Sequence, residues 1–243
     1  MDSIAVGFDV QGGGGPRTLT SAVLERLRAD ILSTKLVPGQ KLHIAGLAKQ
    51  FSVSLTAVRE ALSRLVADGL VQASDQRGFR VSPVSPADLE DVTRTRIDIE
   101  GLALRRSIER GDQAWLGSVE QAFVALSAVP YRHPDDPQTH NEVWIARHRI
   151  FHRALVNACG SQWLLGFRDI LHEQSERYRR LSIPLAKQER NVGQEHQRIL
   201  DVTLKRDAKK AVALLTAHLT ATTNILLAAK VKGEPLLQAG AEA

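Results

Sequence analysis

The chain has 243 residues, which at ~150 residues per domain predicts one or two domains with room for a substantial core. Hydrophobic residues make up 43% of it and charged residues 24%, so it has the composition of a folded globular protein rather than of a disordered or collagenous chain. No run approaches the ~18 uninterrupted apolar residues of a membrane helix, and the first residues lack the pattern of a signal peptide. We therefore expect a cytoplasmic protein with no membrane partner.

The net charge of +5 is unevenly distributed along the chain. Residues 17–84 carry ten Lys and Arg against five Asp and Glu, whereas residues 85–243 carry 22 against 20. A compact basic segment joined to a nearly neutral one is typical of a nucleic-acid reader attached to a second domain. A single cysteine excludes an internal disulfide and a cysteine-based zinc site, so any metal must be held by histidines and carboxylates.

Apolar periodicity predicts three helices and a hairpin in the basic segment. The first helix runs from Thr20 to just before Pro38, and the others lie at about 44–51 and 54–69. The hairpin strands lie at about 70–71 and 79–81. Three helices followed by a two-stranded ribbon predict an N-terminal winged helix-turn-helix. The glycine-rich start of the chain cannot continue a regular element, so we expect it to be a flexible arm.

The remainder of the chain shows the 3.6-residue period of helices throughout. The predicted helices lie at about 86–110, 112–128, 138–158, 161–181, 187–205 and 207–228. Ser85 as an N-cap and Pro86 at the first helical position mark the boundary between the two parts. The predicted fold is mainly α, with a C-terminal all-α antiparallel helical bundle. The predicted domains are an arm (1–17), a DNA-binding domain (18–82), a linker (83–86), a helical domain (87–230) and a tail (231–243).

Five polar side chains of the winged helix-turn-helix are candidates for DNA contact. The second helix of this motif lies in the major groove and presents its N-terminal residues to base edges. Hydroxyls there can contact phosphates or bases, an arginine can bind guanine in bidentate fashion, and basic residues at the hairpin can hold phosphate or enter the minor groove. Each such residue taken singly is more often a solvated surface group, so the ordered set carries the prediction. The candidates are Ser54, Thr56, Arg59, Arg77 and Arg80.

The run from Pro38 to Val81 resembles the DNA-binding domain of the GntR family of bacterial transcriptional regulators. It contains the PG turn, the LA helix, VS followed by VREAL, L…DGLV and the RGF wing. Members commonly have Arg after VS and Pro before VRE, where this chain has Leu55 and Ala57. An operator sequence therefore does not carry over from other members. The resemblance implies a DNA-binding regulator, and we expect a homodimer on an inverted-repeat operator because paired motifs match paired half-sites.

Four histidines fall on the inward faces of three predicted helices. His148 and His152 are four residues apart on one apolar face, and His196 and His218 lie on the apolar stripes of two later helices. A single inward histidine is more often a core residue satisfied by one hydrogen bond. Four neutral imidazoles in one core need many polar partners, and a divalent cation satisfies one nitrogen of each.

These positions resemble the FCD domain, the ligand-binding domain of the FadR subgroup of that family, which is a helical bundle whose pocket usually holds a metal. Its pattern D-x-x-x-H, then EH-x-x-[IL] and a final His is matched by His152, His196 and His218, while His148 occupies the carboxylate position. Four imidazoles favour Zn²⁺ or Ni²⁺ over Mg²⁺ or Ca²⁺. The lost negative charge favours an anionic ligand. Glu195 is expected to point away from the histidines.

The resemblance also implies an effector site. Arg96 and Glu100 match the family's R-x-x-x-E, which implies that Arg96 binds an effector carboxylate. The residues alone favour a surface ion pair instead. Tyr178 and Arg179 are further candidates for the effector site, although an aromatic residue flanked by arginine is usually core beside a solvated face. The segments most similar to the branch that contains the carbon-starvation-induced, glutarate-responsive repressor are residues 144–155, 159–165 and 177–179.

The sequence favours a homodimeric transcriptional repressor released by a small carboxylate or dicarboxylate bound between the metal and Arg96. One alternative is a DNA-binding protein whose metal is purely structural. Another is a metal-dependent hydrolase, which needs a general base beside the metal. HRIFH has Arg149 where the zinc-peptidase motif HExxH has its glutamate, so we expect no enzyme.

Overall fold

The computed structural model describes residues 18–74, 78–182, 190–231, 234–235 and 237. The chain divides into two compact units whose boundary falls between Ser82 and Pro83. Four sequence-based expectations lie outside the described residues: the arm over residues 1–17, the wing residue Arg77, the first residues of the helix predicted from 187 and most of the tail.

The N-terminal unit consists of three helices and a small antiparallel sheet. Its elements are α1 (Leu19–Leu32), β1 (Lys41–Leu42), α2 (Ile44–Phe51), α3 (Leu55–Ala67), β2 (Val71–Ser74) and β3 (Gly78–Val81). The strand order is β1-β3-β2, so the sheet has one strand more than the predicted two-stranded ribbon. The extra strand has only two residues, which is too short to show an alternating pattern in the sequence.

The core of the N-terminal unit forms where one face of α3 packs against α1 and α2. Val23 and Leu27 of α1 and Val58, Leu62 and Leu65 of α3 have no exposed surface. Gly69 follows α3 with a φ of +71°, a left-handed conformation that glycine adopts at helix ends without steric cost. The chain can therefore turn sharply from α3 into β2, which fixes the helix-turn-helix beside the sheet.

The C-terminal unit is a helical bundle, and its described residues include two pairs of short antiparallel strands. Its elements are α4 (Pro86–Arg110), α5 (Gln113–Ser127), β4 (Arg132–His133), β5 (Asp136–His140), α6 (Glu142–Val156), α7 (Gln162–Ser182), α8 (Val192–Leu204), α9 (Ala208–Ala228), β6 (Lys230–Val231) and β7 (Glu234–Pro235). The helix predicted from 138 begins at Glu142 instead, because β4 and β5 pair before it. The helix predicted from 187 is described only from Val192, after the N-cap Asn191.

Side-chain caps set the helix starts of the bundle. Ser85 accepts a hydrogen bond from the Asp88 amide at the start of α4, and Asp112 and Asp207 cap α5 and α9 in the same way. Ser161 accepts from the Leu164 amide before α7 at 3.3 Å. Each cap satisfies a backbone N–H that has no partner within its helix, so these polar residues define where each helix begins.

The helix α9 lies in the core of the bundle. By length and composition it is the one helix within the described ranges that could cross a membrane, with a mean hydropathy of 1.5. Its Leu215, Leu219 and Leu226 are at most 5% exposed, and it packs against α4 and α8. About a third of the apolar window is buried inside the bundle, so packing against neighbouring helices accounts for the apolar residues on its inward face.

Candidate functional site

The bundle brings the four sequence-predicted histidines together in its interior. His148 and His152 come from successive turns of α6, His196 from α8 and His218 from α9, and each side chain is at most 7% exposed. One ring nitrogen from each lies within 4.8 Å of those of the others. The distance between His152 Nε2 and His196 Nε2 is 3.2 Å.

This arrangement fits a divalent cation. Zinc–nitrogen bonds of ~2.0–2.1 Å in a tetrahedral site place neighbouring ligand nitrogens roughly 3.3 Å apart, close to the separation of the His152 and His196 nitrogens. His148 Nδ1 and His152 Nδ1 are both buried without a hydrogen-bond partner among the described residues. A buried nitrogen without a partner is costly, and a metal ion that binds the ring nitrogens of the cluster offsets part of that cost.

Burial also sets the protonation state of the cluster. It lowers the pKa values of His148, His152 and His196 well below the ordinary value, and the neighbouring imidazoles and arginines contribute in the same direction to the pKa values of His148 and His152. These imidazoles are therefore neutral near pH 7. The neutral ring is the form that binds a metal.

The sequence suggested that Glu195 points away from the histidines, and this expectation is wrong. In the structure Glu195 contacts the ring of His218. Its Oε2 lies 2.8 Å from His218 Nδ1, and Arg190 donates from Nε to Glu195 Oε1 at 2.7 Å. Burial opposes ionisation of this carboxyl, but the hydrogen bonds from His218 and Arg190 prevail and lower the pKa of Glu195 to about 2. An ionised carboxylate only accepts hydrogen bonds, so the His218 proton is on Nδ1 and Nε2 is left for a metal.

We expect Glu195→Gln to weaken zinc binding by roughly 10- to 100-fold, as loss of a residue that orients a metal ligand commonly does. The measurement is a competition titration of zinc with a chromophoric chelator. Glu173→Gln is a matched control, because Glu173 is a partly buried carboxylate that pairs with Arg149 on the bundle surface. Equal zinc affinity in Glu195→Gln and the control would show that Glu195 does not orient His218.

Sequence reasoning missed two residues of α7 that lie beside the histidine cluster. Arg168 has no exposed surface, and its Nη2 lies 3.4 Å from His172 Nδ1. The His172 ring centroid is 6.3 Å from that of His148. Burial lowers the pKa of Arg168 to about 10, so it remains charged near pH 7. Arg168 and His172 are four residues apart, which indicates that they lie on the same face of α7. Because arginine is rarely buried, the sequence alone predicts that this face is exposed to solvent.

Arg96 and Glu100 form a buried ion pair rather than the surface pair that the residues alone suggested. They are 7% and 1% exposed, and Arg96 Nε donates to Glu100 Oε1 at 2.9 Å. Arg96 Nη1 donates to Ser175 Oγ at 2.7 Å, and its Nη2 lies 3.5 Å from His172 Nδ1. Arg96 therefore lies in the interior, next to the residues that surround the histidines.

The structure separates the two remaining effector candidates. The Arg179 guanidinium lies 5.3 Å from the centroid of the Trp144 ring, and that ring stacks on His148 with a centroid separation of 4.6 Å. Tyr178 is fully buried in a different cluster, with Leu89 among its neighbours, and its hydroxyl donates to Asp88. Tyr178 thus stabilises the start of α4, and only Arg179 lies beside the histidines.

The candidate DNA-reading residues occupy the exposed start of α3. Thr56 and Arg59 are exposed. The hydroxyl of Ser54 accepts from the Ala57 amide at 3.1 Å, so this residue serves as the N-cap of the recognition helix. Leu55 is 51% exposed, which places an apolar side chain on the surface at this end of the helix.

Arg80 lies on β3 next to another basic residue. It is exposed and donates from Nη1 to the Gly39 carbonyl at 3.1 Å, and its partner in the β1–β3 register is Lys41. Lys41 carries no sequence signal for this position, because the two-residue β1 is too short to show an alternating pattern. Arg80 and Lys41 together make this part of the sheet basic, as a phosphate contact requires.

Comparison with known proteins identifies both units. Residues 19–81 match the gntR family of bacterial regulatory proteins and residues 91–221 match the FCD domain. The chain is 41% identical over 210 residues to the HTH-type transcriptional regulator BphR of Paraburkholderia xenovorans, covering 86% of each protein. The chain belongs to the GntR family. This confirms the family and the fold class predicted from its motifs, and its relatives bear the names of transcriptional regulators rather than of enzymes.

Further relatives of this GntR regulator support the same family assignment. It is 31% identical to the HTH-type transcriptional repressor GlaR of Escherichia coli over 197 residues, which covers 79% of this chain and 89% of that protein. The solved structure of E. coli McbR/YncC matches with a TM-score of 0.70 at 21% identity, covering 86% of this chain and 96% of the other. A GntR regulator from Rhodococcus sp. RHA1 matches with a TM-score of 0.69, also at 21% identity, covering 86% and 98%. These structures show the shared fold.

We expect Arg59→Ala to weaken specific operator binding by ~1–3 kcal/mol, the usual cost of losing one bidentate base contact. The operator is first mapped by footprinting, and affinity is then measured by fluorescence anisotropy at one salt concentration. Arg64→Ala is the matched control, since Arg64 carries the same charge in the last turn of α3 and pairs with Glu60. Unchanged affinity in Arg59→Ala would remove this residue from the base-reading set.

Proposed function

We propose that this GntR regulator is a homodimeric transcriptional repressor, acting on DNA in the cytoplasm and released from its operator by a small carboxylate bound at a metal in the helical domain. The observation that carries the proposal is the buried cluster of four imidazoles with buried arginines beside it. Membership of the GntR family supports DNA binding, and the similarity to a protein named as a repressor supports the direction of regulation.

In this proposal, a Zn²⁺ or Ni²⁺ ion is held by His148, His152, His196 and His218. The bound ion would supply a positive centre with affinity for a carboxylate oxygen. Glu195 keeps His218 in the tautomer that binds metal. Because its carboxylate is already bonded to His218 and Arg190, it is not placed to act as the general base that the hydrolase alternative requires.

The charge balance beside the histidines favours an anionic effector. Arg96 and Arg168 are both buried and share the carboxylate of Glu100, which lies 2.8 Å from Arg96 Nη2 and 3.8 Å from Arg168 Nε, and Arg168 also pairs with Asp169 at 3.0 Å. A divalent ion adds two more positive charges to this region. An incoming carboxylate compensates part of that excess. The planar N–H donors of Arg96 suit a carboxylate, which would replace Ser175 as the partner of Arg96 Nη1. Arg179 is a second candidate contact.

The helix α4 connects the proposed effector site with the linker. Arg96 lies ten residues after Pro86, the first residue of α4, so the two are separated by about 15 Å along the helix axis. A ligand shifts an equilibrium only through its different affinities for the two states. A carboxylate that binds more tightly to one position of α4 would change the conformation of the linker at residues 83–86. In a dimer, this would change the spacing of the two DNA-binding domains.

The proposal is tested by measuring operator affinity with a panel of small carboxylates on zinc-loaded and chelator-treated protein. We expect at least one acid to weaken operator binding of the zinc-loaded protein, and the same acid to have no effect after the metal is removed. A thermal-shift screen selects the acids, because specific ligands stabilise the protein by mass action. Operator affinity that no carboxylate changes, with zinc still bound, would favour a purely structural metal.

A further inference from the structure

A groove of about 770 Å³ opens beside the histidine cluster. Its described wall comes from the end of α5, the segment that follows it, α6 and the start of α8. His196 lines the groove, and so does Trp144, whose ring stacks on that of His148. The groove therefore reaches the proposed metal site from the outside of the bundle.

About half of the residues on the described groove wall are apolar or aromatic. Its apolar side chains are Phe123, Leu126, Val129, Tyr131, Trp144 and Val192. Tyr131 packs edge-on against Trp144 with a centroid separation of 4.6 Å. Ligand sites of this kind bind the apolar body of a small molecule by removing its surface from water.

Among the polar side chains on this wall, the neutral amide of Gln194 is exposed, and three others are already paired within the bundle. Ser127 donates to a backbone carbonyl of α5 at 2.9 Å, Asn191 caps α8 by accepting from a backbone amide at 2.9 Å, and Gln197 donates to Asp201 at 2.7 Å.

The cation on the described part of the wall is paired as well. Arg190 donates to Glu195, to Thr222 Oγ1 at 2.7 Å and to the His218 carbonyl at 2.7 Å. A charged group placed in the groove would lose water and displace existing hydrogen bonds, which is unfavourable. The groove thus suits an uncharged, apolar part of a ligand.

We propose that the effector is a monocarboxylate with an apolar body, which lies in this groove while its carboxylate meets the metal beside His196. The inference rests on the proposed function and names the class of acid that the site selects. A volume of about 770 Å³ lies in the range of sites for drug-sized molecules, ~300–1,000 Å³. A short dicarboxylate would leave most of the groove unfilled and direct its second charge at the apolar wall.

The test is a series of acids with one carboxylate and a growing apolar body: acetate, butanoate, hexanoate and 4-phenylbutanoate, with glutarate as the dicarboxylate. Dissociation constants are measured by calorimetry on the full-length, zinc-loaded protein. Each methylene that enters the groove is expected to tighten binding roughly fourfold, so hexanoate binds about 16-fold more tightly than butanoate. Glutarate binds no more tightly than butanoate.

Gly193→Leu provides a variant that fills the groove. Gly193 lines it, and the nearest atom to an added Cβ is Asn191 Oδ1 at 3.7 Å, an ordinary contact distance. Gly117→Leu is the matched control, because a Cβ at Gly117 on α5 meets no atom within 4 Å. In Gly193→Leu, we expect the affinity no longer to increase with the chain length of the acid, while the zinc content and the affinity for acetate stay unchanged. We expect Gly117→Leu to behave like the wild type.

The outcomes separate the groove from the proposed function. Equal affinity for acetate and hexanoate in the wild type, or a chain-length gain that persists in Gly193→Leu, overturns the groove proposal and leaves carboxylate-dependent release intact. A wild-type protein that binds no acid of the series overturns both. The wild-type series decides by itself if Gly193→Leu does not fold.

Discussion

The double replacement His196→Ala and His218→Ala is expected to abolish stoichiometric retention of Zn²⁺ or Ni²⁺. The two changes remove the ligands from α8 and α9 and leave His148 and His152, which come from a single helix. Two imidazoles on one helix cannot complete the four-coordinate shell of a tightly held zinc ion. The expected effect is therefore loss of the bound ion rather than a moderate change in affinity.

Elemental analysis of protein dialysed against a weak chelator measures this loss. The matched control is His43→Ala with His133→Ala, because both histidines are exposed and lie outside the buried cluster. The wild type and the control gain stability on zinc addition, by about 2.7 kcal/mol at a free zinc concentration of 100 times the dissociation constant, and the double variant does not. Full metal occupancy in the double variant would contradict the assignment of these ligands.

Much of the fold followed from the sequence because helix periodicity and capping are local properties. The residues of α6 alone predict which of its faces is buried. Asp112 and Asp207 cap the helices that the sequence assigned to them. The elements missed are those whose existence depends on a distant partner. β1 has two residues and is defined by pairing with β3, and the β4–β5 pairing replaces the first residues of a predicted helix. Pairing across the chain leaves little trace in a short segment.

The same distinction applies to the site. Each histidine could be placed on an inward face from its own helix, and the bundle then brings the three faces together. The contact between Glu195 and His218 joins two helices and depends on their rotation and separation, which periodicity does not specify. The burial of Arg96 beside Glu100 was likewise invisible, since a pair four residues apart has the same sequence signature on the surface and in the core. Only packing against α7 decides between them.

Arg96 is expected to be the residue whose loss separates effector response from metal binding. Arg96→Ala leaves the carboxylate of Glu100, 1% exposed, with Arg168 Nε at 3.8 Å as its remaining cation. Removing one partner of a buried ion pair costs about 3 kcal/mol or more, so this variant should be clearly less stable. Arg94→Ala is the control, because Arg94 lies on the same helix in an exposed pair with Asp91 and its loss should cost less than about 1 kcal/mol.

Arg96→Lys tests the effector contact without that loss of stability. Lysine keeps the positive charge beside Glu100 but cannot offer the planar pair of N–H donors that binds a carboxylate in bidentate fashion. Such a contact contributes ~1.5–3 kcal/mol, so Arg96→Lys should require roughly 10- to 100-fold more carboxylate to release the operator. Zinc content and operator affinity without effector should match the wild type.

The decisive measurement is operator affinity as a function of carboxylate concentration, for wild type, Arg94→Ala and Arg96→Lys, at one salt concentration because phosphate contacts make affinity salt-dependent. A carboxylate acts only through its different affinity for the two states of the regulator. If Arg96 supplies part of that difference, the release curve of Arg96→Lys shifts while that of Arg94→Ala does not. Coincident curves for all three proteins would mean that Arg96 serves only as the buried partner of Glu100, and that the carboxylate is recognised by the metal and other residues.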